Sequence, residues 1–391
     1  MKKIGLLPKL IIGIILGIII GLISKQLGNF IVVRFLSTFG NIFSNFLNFI
    51  IPLVIIGFVA PGIAELGRGA GKLLGITALF AYVSAVIAGV MAFFIGSTIL
   101  PNVITSGDLA SASEVDVSPY FEITIDPMMG VMTALVTAFV LGLGMAYIKR
   151  QRLLEVMQDF QSIIQGVINY VLIPLIPPYI ASIFSKITAT GEIFNTIKTF
   201  SSVFILLITL QIIYIIVQYS IAFFYTGKSP VKSIKNMLPA YFTALGTQSS
   251  AATIPVTIQS AKKNDLDEDI IDFVIPLGAT IHLAGDTITL VLASMGVMLM
   301  NGNTPTFATM FPFILMLGIT MVAAPGIPGG GVVAALGLLE TMLGFGAQKQ
   351  ALMIALHFAQ DSFGTATNVT GDGAIAIIIN KFAKMTKKEK V

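Results

Sequence analysis

Residues 278–286 read GATIHLAGD and residues 364–372 read GTATNVTGD, so both segments follow the pattern G-x6-G-D. His282 and Asn368 occupy the same position in the two segments. Each segment ends in a carboxylate within apolar sequence, and a carboxylate at the centre of a membrane helix costs about 2.5–3.5 kcal/mol. The repeat therefore predicts a functional site, although small residues alone also mark tight helix packing in membranes.

A polar or small stretch precedes each segment of the repeat. Residues 248–255 read QSSAATIP and residues 323–331 read AAPGIPGGG. Such stretches between apolar runs are typical of hairpin tips that enter a membrane and return. Two hairpin-plus-span units that enter from opposite sides form an inverted repeat, and transporter sites lie at the interface of such repeats near the midplane.

The composition identifies an integral membrane protein. Of the 391 residues, 55% are hydrophobic and 11% are charged, whereas soluble domains carry about 25% charged residues. The chain has no cysteine and two histidines, which excludes disulfides, thiol catalysis and a multi-histidine metal site. No nucleophile–base pair is evident, so we do not expect an enzyme. We attribute the net charge of +4 to lysines and arginines that orient the chain in the membrane, and we do not take it as a sign of nucleic-acid binding.

We expect an all-α fold of eight transmembrane helices plus two re-entrant helical hairpins. The first six spans are predicted from apolar runs at Leu10–Ser24, Phe35–Ala64, Leu73–Gly107, Pro127–Ile148, Gln161–Ser185 and Thr199–Gly227. The first run is interpreted as a retained span because no cleavage site follows it. The hairpins are placed at about 232–262 and 304–342, and two broken helices are placed at about 268–300 and 348–384.

The basic residues orient this arrangement. With both termini in the cytoplasm, the inside segments hold 18 of the 23 Lys and Arg residues and the outside segments hold 5. The outside loop Asp108–Asp126 has five acids and no base. This asymmetry follows the positive-inside rule, and we expect a multi-pass protein of the plasma (inner) membrane of a prokaryote.

One helix face gathers the polar residues of the second segment. Asp361, Thr365, Asn368 and Asp372 are spaced i, i+4, i+7 and i+11, which places them on one side of a helix. An aspartate and unwound carbonyls can replace the water shell of a hard cation, and helix N-termini at hairpin tips attract a carboxylate.

The sequence resembles the dicarboxylate/amino acid:cation symporter family, which includes the glutamate transporters and the bacterial serine/threonine symporters. The most specific matching pieces are Ser249-Ser250 with Pro255, residues 276–281 (PLGATI), residues 326–329 (GIPG) and residues 368–372 (NVTGD). The resemblance covers nearly the whole chain and implies a homotrimer in the lipid bilayer. It implies a scaffold from residues 1–72 and 118–190, and a transport domain from 73–117 and 191–391 that moves like an elevator.

The resemblance also implies roles for individual residues. The α-amino group of an amino acid substrate is expected at Asp361 and Thr365. The α-carboxylate is expected at Asn368 and at the first hairpin tip, Ser249 and Ser250. Hairpin backbone is expected near Gln248, Ile327 and Gly331. A first cation site is expected from the carbonyls of Gly278, His282 and Asn368 and the carboxylate of Asp372. A second is expected from carbonyls at Thr280 and Leu283 and the segment from Met321 to Ala324.

Two departures from the family pattern bear on the substrate. Members that carry acidic substrates have an arginine at the position of Gly364, and without it a side-chain carboxylate has no bidentate partner. Asp286 stands where those members have a threonine near the substrate side chain. We therefore expect a small neutral amino acid such as serine, threonine or alanine. Acidic amino acids or C4-dicarboxylates, and basic amino acids paired with Asp286, are the alternatives.

The coupling ion is expected to be Na⁺. Ala284 replaces a carboxylate that helps to form a third sodium site in the family, and Phe80 and Val83 replace its hydroxyl ligands, so fewer sodium ions are expected. Coupling to H⁺ through His282 or Asp286 is the alternative to a purely structural role of His282. Outside the class of carriers, the same polar groups would suit an ion channel.

Overall fold

The computed structural model describes residues 6–68, 71–104, 115–148, 151–191, 193–322, 324 and 328–388. All regular structure in these residues is helical. The helices of the first half are α1 Leu6–Leu27, α2 Ile31–Arg68, α3 Gly71–Val103, α4 Val131–Ile148, α5 Gln151–Val167, α6 Ile173–Thr190 and α7 Ile193–Thr226. The helices of the second half are α8 Pro230–Thr247, α9 Ser250–Lys262, α10 Glu268–Ile281, α11 Ala284–Met300, α12 Phe307–Val322, α13 Gly330–Leu343 and α14 Ala347–Lys388.

The long apolar helices are those of a multi-pass membrane protein. In the described part of the chain, six helical stretches are long and apolar enough to cross a membrane. One of them is longer than expected, because a π-helical turn at Ile168–Leu172 joins α5 and α6 into one stretch, Gln151–Thr190. Helix α1 exposes large aliphatic side chains along its length, such as Ile11, Ile15 and Ile19. Lipid is the solvent that such a surface requires.

Pairs of short helices stand where the sequence predicts the two hairpins. Helices α8 and α9 pack on each other and are joined by Gln248 and Ser249. Helices α12 and α13 also pack on each other. The tip between them is described only at residues 324, 328 and 329.

The two segments of the repeat differ in backbone. The first is interrupted as predicted, because His282 and Leu283 leave the helical conformation between α10 and α11. The second segment was also predicted to lie in a broken helix, at about 348–384, and this prediction was wrong. Helix α14 runs unbroken from Ala347 to Lys388 through residues 364–372. Glycine lowers helix stability by only about 1 kcal/mol relative to alanine, so the glycines of this segment permit an interruption but do not impose one.

The helices pack in two sets. Helix α1 packs along α6, and α2 packs along α4, α5 and α6. In the other set, α11 packs against α3, α7 and α14, and α14 packs against α8 and α10. Every residue of α11 is buried. Helices α11 and α14 therefore form the centre of the second set. The first G-x6-G-D segment runs from the end of α10 into the first turn of α11, and the second lies within α14.

Glycines bring α1 and α6 into backbone contact. A Cβ atom on Gly13 would lie 2.5 Å from the carbonyl oxygen of Pro177, and one on Gly17 would lie 2.5 Å from that of Ala181. We expect Gly17→Val to force these helices apart, at a cost of about 1–3 kcal/mol. The measurement is the melting temperature of the purified protein in detergent. Gly144→Val in α4 is the control, since a Cβ there meets no atom within 4 Å, and equal melting temperatures for the two variants would contradict this packing.

Candidate functional site

The two segments of the repeat meet at the centre of the structure through reciprocal contacts. His282 Nδ1 of the first segment donates to Asp372 Oδ1 of the second at 3.0 Å. Asn368 Nδ2 of the second segment donates to Asp286 Oδ2 of the first at 2.6 Å. His282 and Asn368 are equivalent positions of the repeat, and so are Asp286 and Asp372. A two-fold relation between two segments produces such exchanged contacts.

Asn368 also forms the N-terminal cap of α11. Its Oδ1 accepts the backbone N–H of Gly285 at 2.7 Å, in the first turn of that helix. Because the first N–H groups of a helix have no partner within it, this bond satisfies a donor that the interruption at His282 and Leu283 creates. Asp286 lies in the same first turn, where a negative charge is favourable to the helix dipole.

A buried group of acidic and imidazole side chains surrounds Asp286. His357 Nε2 donates to Asp286 Oδ1 at 2.7 Å, so both carboxylate oxygens of Asp286 have a nitrogen donor. Ligand atoms of Asp286, His357 and Asp361 all lie within 4.8 Å of one another, and the three side chains are buried. Gly331 packs against Asp286: a Cβ on Gly331 would lie 2.7 Å from Asp286 Oδ1.

Asp361 lies beside the N-terminus of α13. Its Oδ2 accepts the backbone N–H of Gly329 at 2.9 Å, and its Oδ1 lies 3.5 Å from the hydroxyl of Thr365. Gly329 has a φ of 74°, a conformation that glycine adopts without strain. The structure thus brings together five of the residues predicted to bind substrate: Asp286, Gly331, Asp361, Thr365 and Asn368.

A second polar cluster surrounds Asp372. Its partner His282 has its other nitrogen, Nε2, 3.0 Å from Ser84 Oγ and 3.2 Å from Gln218 Nε2. Asp372 Oδ2 is buried and has no hydrogen-bond partner among the described residues. A Cβ on Gly278 would lie 2.6 Å from Asp372 Oδ1. Three of the predicted cation-site residues, Gly278, His282 and Asp372, therefore lie together.

The other predicted cation-site residues lie in varied surroundings. Thr280 is exposed, and its hydroxyl donates to the carbonyl of Leu277. The carbonyl of Leu283 accepts both the N–H and the hydroxyl of Thr287 within α11. Met321 and Ala324 are buried near the end of α12.

The first hairpin tip is attached to α14 next to Asp361. Gln248 has a left-handed backbone, with a φ of 53°, and its Nε2 donates to Ser362 Oγ at 2.9 Å. Ser249 is the N-cap of α9 and accepts the N–H of Ala252, and Ser250 is buried in the first turn. Ile327 of the second tip lies outside the described residues.

Two glutamine side chains occupy the space beside Gly364. A Cβ on Gly364 would lie 3.3 Å from the amide of Gln360 and 3.6 Å from Gln211 Nε2. Gln211 Nε2 donates to Gln360 Oε1 at 2.7 Å, and both side chains are buried. A side chain at position 364 would therefore meet these amides first.

Several residues of the site were not predicted from the sequence. His357 lies one turn before Asp361 and extends the polar face of α14 by one more turn, and that periodicity is the sequence signal for it. Ser84 in α3 and Gln211 and Gln218 in α7 are distant in sequence from the repeat and stand among other polar residues in these largely apolar helices. No local pattern marks them.

These features define a class: a helical membrane protein whose interrupted helix and paired short helices surround buried carboxylates. Residues 6–382 match the sodium:dicarboxylate symporter family. The chain belongs to this family.

The relatives are excitatory amino acid transporters. The chain is 25% identical to one from Caenorhabditis elegans over 292 residues, which cover 73% of this chain and 58% of the relative. It is 34% identical to excitatory amino acid transporter 5 of Homo sapiens over 175 residues, covering 43% of this chain and 31% of the relative. For excitatory amino acid transporter 1 of Rattus norvegicus the identity is 32% over 169 residues, with the same two shares of 43% and 31%. The alignments thus span less than two thirds of each relative.

The reciprocal contacts can be tested at Asn368. We expect Asn368→Leu to leave Asp286 Oδ2 and the Gly285 N–H short of a buried partner, which costs about 2–5 kcal/mol for the two groups together. The measurement is the melting temperature in detergent. The control is Thr367→Val on the same helix, because the Thr367 hydroxyl bonds only to the Phe363 carbonyl of its own helix among the described residues. If Asn368→Leu melts no lower than Thr367→Val, the hydrogen bonds of Asn368 to Gly285 and Asp286 do not contribute to the stability of the fold.

Proposed function

We propose that this protein is a secondary active symporter that imports a small neutral amino acid together with Na⁺. The observation that carries the choice of substrate is the charge of the buried site. Asp286 and Asp361 lie there, whereas no lysine or arginine is buried in the part of the chain whose burial is described. A second carboxylate on the substrate would therefore be buried without a cationic partner, which is costly.

The substrate's two charged groups have different partners. Asp361, assisted by Thr365, receives the α-ammonium group. The α-carboxylate is received by Asn368 and by the first hairpin tip at Ser249 and Ser250. Support for this orientation comes from the position of Asp361 next to the tip residue Gln248, which bonds to the neighbouring Ser362. The N-termini of α9 and α13 add backbone N–H groups that favour an anion.

A sodium ion fits the surroundings of Asp372. The unpartnered Asp372 Oδ2 is a buried oxygen of the kind that hard cations prefer. Asp372 and the carbonyls of Gly278, His282 and Asn368 would hold the ion, and its charge would offset the cost of burying this carboxylate. A second ion would be held by the carbonyls of Thr280 and Leu283 and by the segment from Met321 to Ala324. Coupling to H⁺ through His282 remains the alternative that the experiments below distinguish.

The transport movement is proposed to be that of an elevator. A scaffold from residues 1–72 and 118–190 would stay fixed in a homotrimer, and residues 73–117 and 191–391 would move with the substrate. The packing of the helices in two sets supports this division. The charge asymmetry of the loops supports cytoplasmic termini. The inner membrane of a prokaryote remains the proposed location.

The substrate is tested by thermal-shift measurements on the purified protein with the twenty amino acids and small dicarboxylates, with and without Na⁺. We expect stabilisation by serine, threonine or alanine that requires Na⁺. Stabilisation by aspartate or succinate and not by neutral amino acids would contradict the proposed substrate. Saturable exchange of labelled substrate in liposomes then separates a carrier from a channel.

Asp372 is expected to control the response to sodium. Asp372→Asn removes one charge from the cation site, so we expect the Na⁺ concentration for half-maximal uptake to rise by at least about tenfold. The matched control is Asp267→Asn, which removes an exposed carboxylate that pairs with Lys384. An unchanged Na⁺ requirement in a folded Asp372→Asn protein would place the ion elsewhere. Uptake driven by a pH gradient without Na⁺ would favour H⁺ as the coupling ion.

Gly364 is expected to control the choice between neutral and acidic substrates. Gly364→Arg would introduce a guanidinium beside Gln211 and Gln360, and we expect the preference to shift toward aspartate by at least about tenfold. Competition with labelled serine measures the shift. Gly346→Arg is the control, because a Cβ at Gly346 meets no atom within 4 Å. If Gly364→Arg is folded and its preference is unchanged, Gly364 does not face the substrate side chain.

A further inference from the structure

Among the described residues, His357 has one hydrogen-bond partner, which is Asp286. The side chain is fully buried, and its Nε2 donates to Asp286 Oδ1 at 2.7 Å. Its Nδ1 has no hydrogen-bond partner among the described residues. Within the described part of the chain, the hydrogen bonding of this histidine is therefore directed at Asp286.

Each carboxylate oxygen of Asp286 has a side-chain nitrogen as its hydrogen-bond donor. Its Oδ1 accepts from His357 and its Oδ2 accepts from Asn368 Nδ2 at 2.6 Å. Asn368 is itself held in place, since its Oδ1 accepts the N–H of Gly285. A cationic side chain of a substrate would have to compete with these two donors for the lone pairs of Asp286.

Asp361 differs from Asp286 in this respect. Its partners in the described residues are the N–H of Gly329 and, at 3.5 Å, the hydroxyl of Thr365. No side-chain nitrogen is bonded to it in this part of the chain. Of the two neighbouring carboxylates, Asp361 thus has the weaker partners, and an ammonium group meets less competition there than at Asp286.

We propose that His357 determines specificity by occupying Asp286, so that the pocket accepts a substrate with one ammonium group and excludes amino acids with a cationic side chain. This inference rests on the proposed function and deepens it. A binding site can discriminate against a wrong ligand through a feature that acts against it, and the His357 N–H is that feature here.

The test compares His357→Ala, which frees Asp286 Oδ1, with His357→Gln, whose amide can place an N–H near the position of Nε2. Each full-length variant is purified, and its melting temperature is measured with serine, with lysine and with 2,3-diaminopropionate. Competition of these compounds against labelled serine in liposomes gives the ratio of apparent affinities. The double variant Asp286→Asn/His357→Ala removes the carboxylate that His357→Ala is expected to make available to a cationic side chain.

We expect wild-type protein to reject both cationic amino acids at a hundredfold excess over serine. His357→Ala should shift the ratio toward them by at least about tenfold. The ratio of His357→Gln should stay near that of wild type, and the double variant should lose the gain. A ratio unchanged in His357→Ala, an equal shift in His357→Gln, or competition by lysine in wild type would overturn the inference. Competition by either cationic amino acid in wild type would overturn the inference even where His357→Ala does not fold.

The same measurements separate this inference from the proposed function. If no amino acid stabilises the wild-type protein, the proposed function fails and the inference fails with it. If neutral amino acids bind and the variants do not change the ratio, only the role of His357 fails.

Discussion

The burial of Asp286 and Asp372 is the constraint on which the rest of the structure depends. Both carboxylates are almost fully enclosed, with exposed fractions of 3% and 1%. Buried charges persist only where they are paired or hydrogen-bonded. Each repeat segment supplies a hydrogen-bond donor to the carboxylate of the other. His282 donates to Asp372, and Asn368 donates to Asp286. The two segments therefore cannot be separated without leaving charged groups unpartnered, and this requirement fixes α11 against α14.

The same contacts account for the asymmetry of the two segments. The interruption at His282 and Leu283 leaves N–H groups of α11 without partners, and Asn368 caps one of them from the neighbouring helix. The second segment has no such interruption, since α14 is continuous and satisfies its backbone internally. An unbroken helix presents Asp361, Asn368 and Asp372 in a fixed order along one face, whereas the interrupted helix exposes backbone and a helix terminus. The site thus combines side chains in a fixed row on α14 with the exposed backbone groups of the interruption before α11.

Much of this architecture could be predicted from the sequence, because it follows from length and hydropathy. Long apolar runs predict the membrane helices, and the polar stretches at 248–255 and 323–331 predict the ends of the paired short helices. The repeat predicts that Asp286, Asn368 and Asp372 lie at one site. The sequence does not reveal that α14 is continuous, since glycine is compatible with both backbones. Nor does it reveal Ser84, Gln211 and Gln218, because their roles depend on helix rotation and tertiary contact. His357 falls between these cases: its spacing from Asp361 places it on the polar face, and only the structure shows that it bonds to Asp286.

In the proposed function, a buried amino acid site and a sodium site are energetically coupled through the paired repeat segments. Coupling of two binding sites is reciprocal and appears as a change in the affinity for one ligand when the other is present. The most direct measurement is the Kd of the purified protein for serine, or for whichever neutral amino acid stabilises it best, at low and at saturating Na⁺ with constant ionic strength. We expect Na⁺ to tighten binding by at least about tenfold, or ~1.4 kcal/mol of coupling free energy. A Kd that is the same at both Na⁺ concentrations would contradict this coupling.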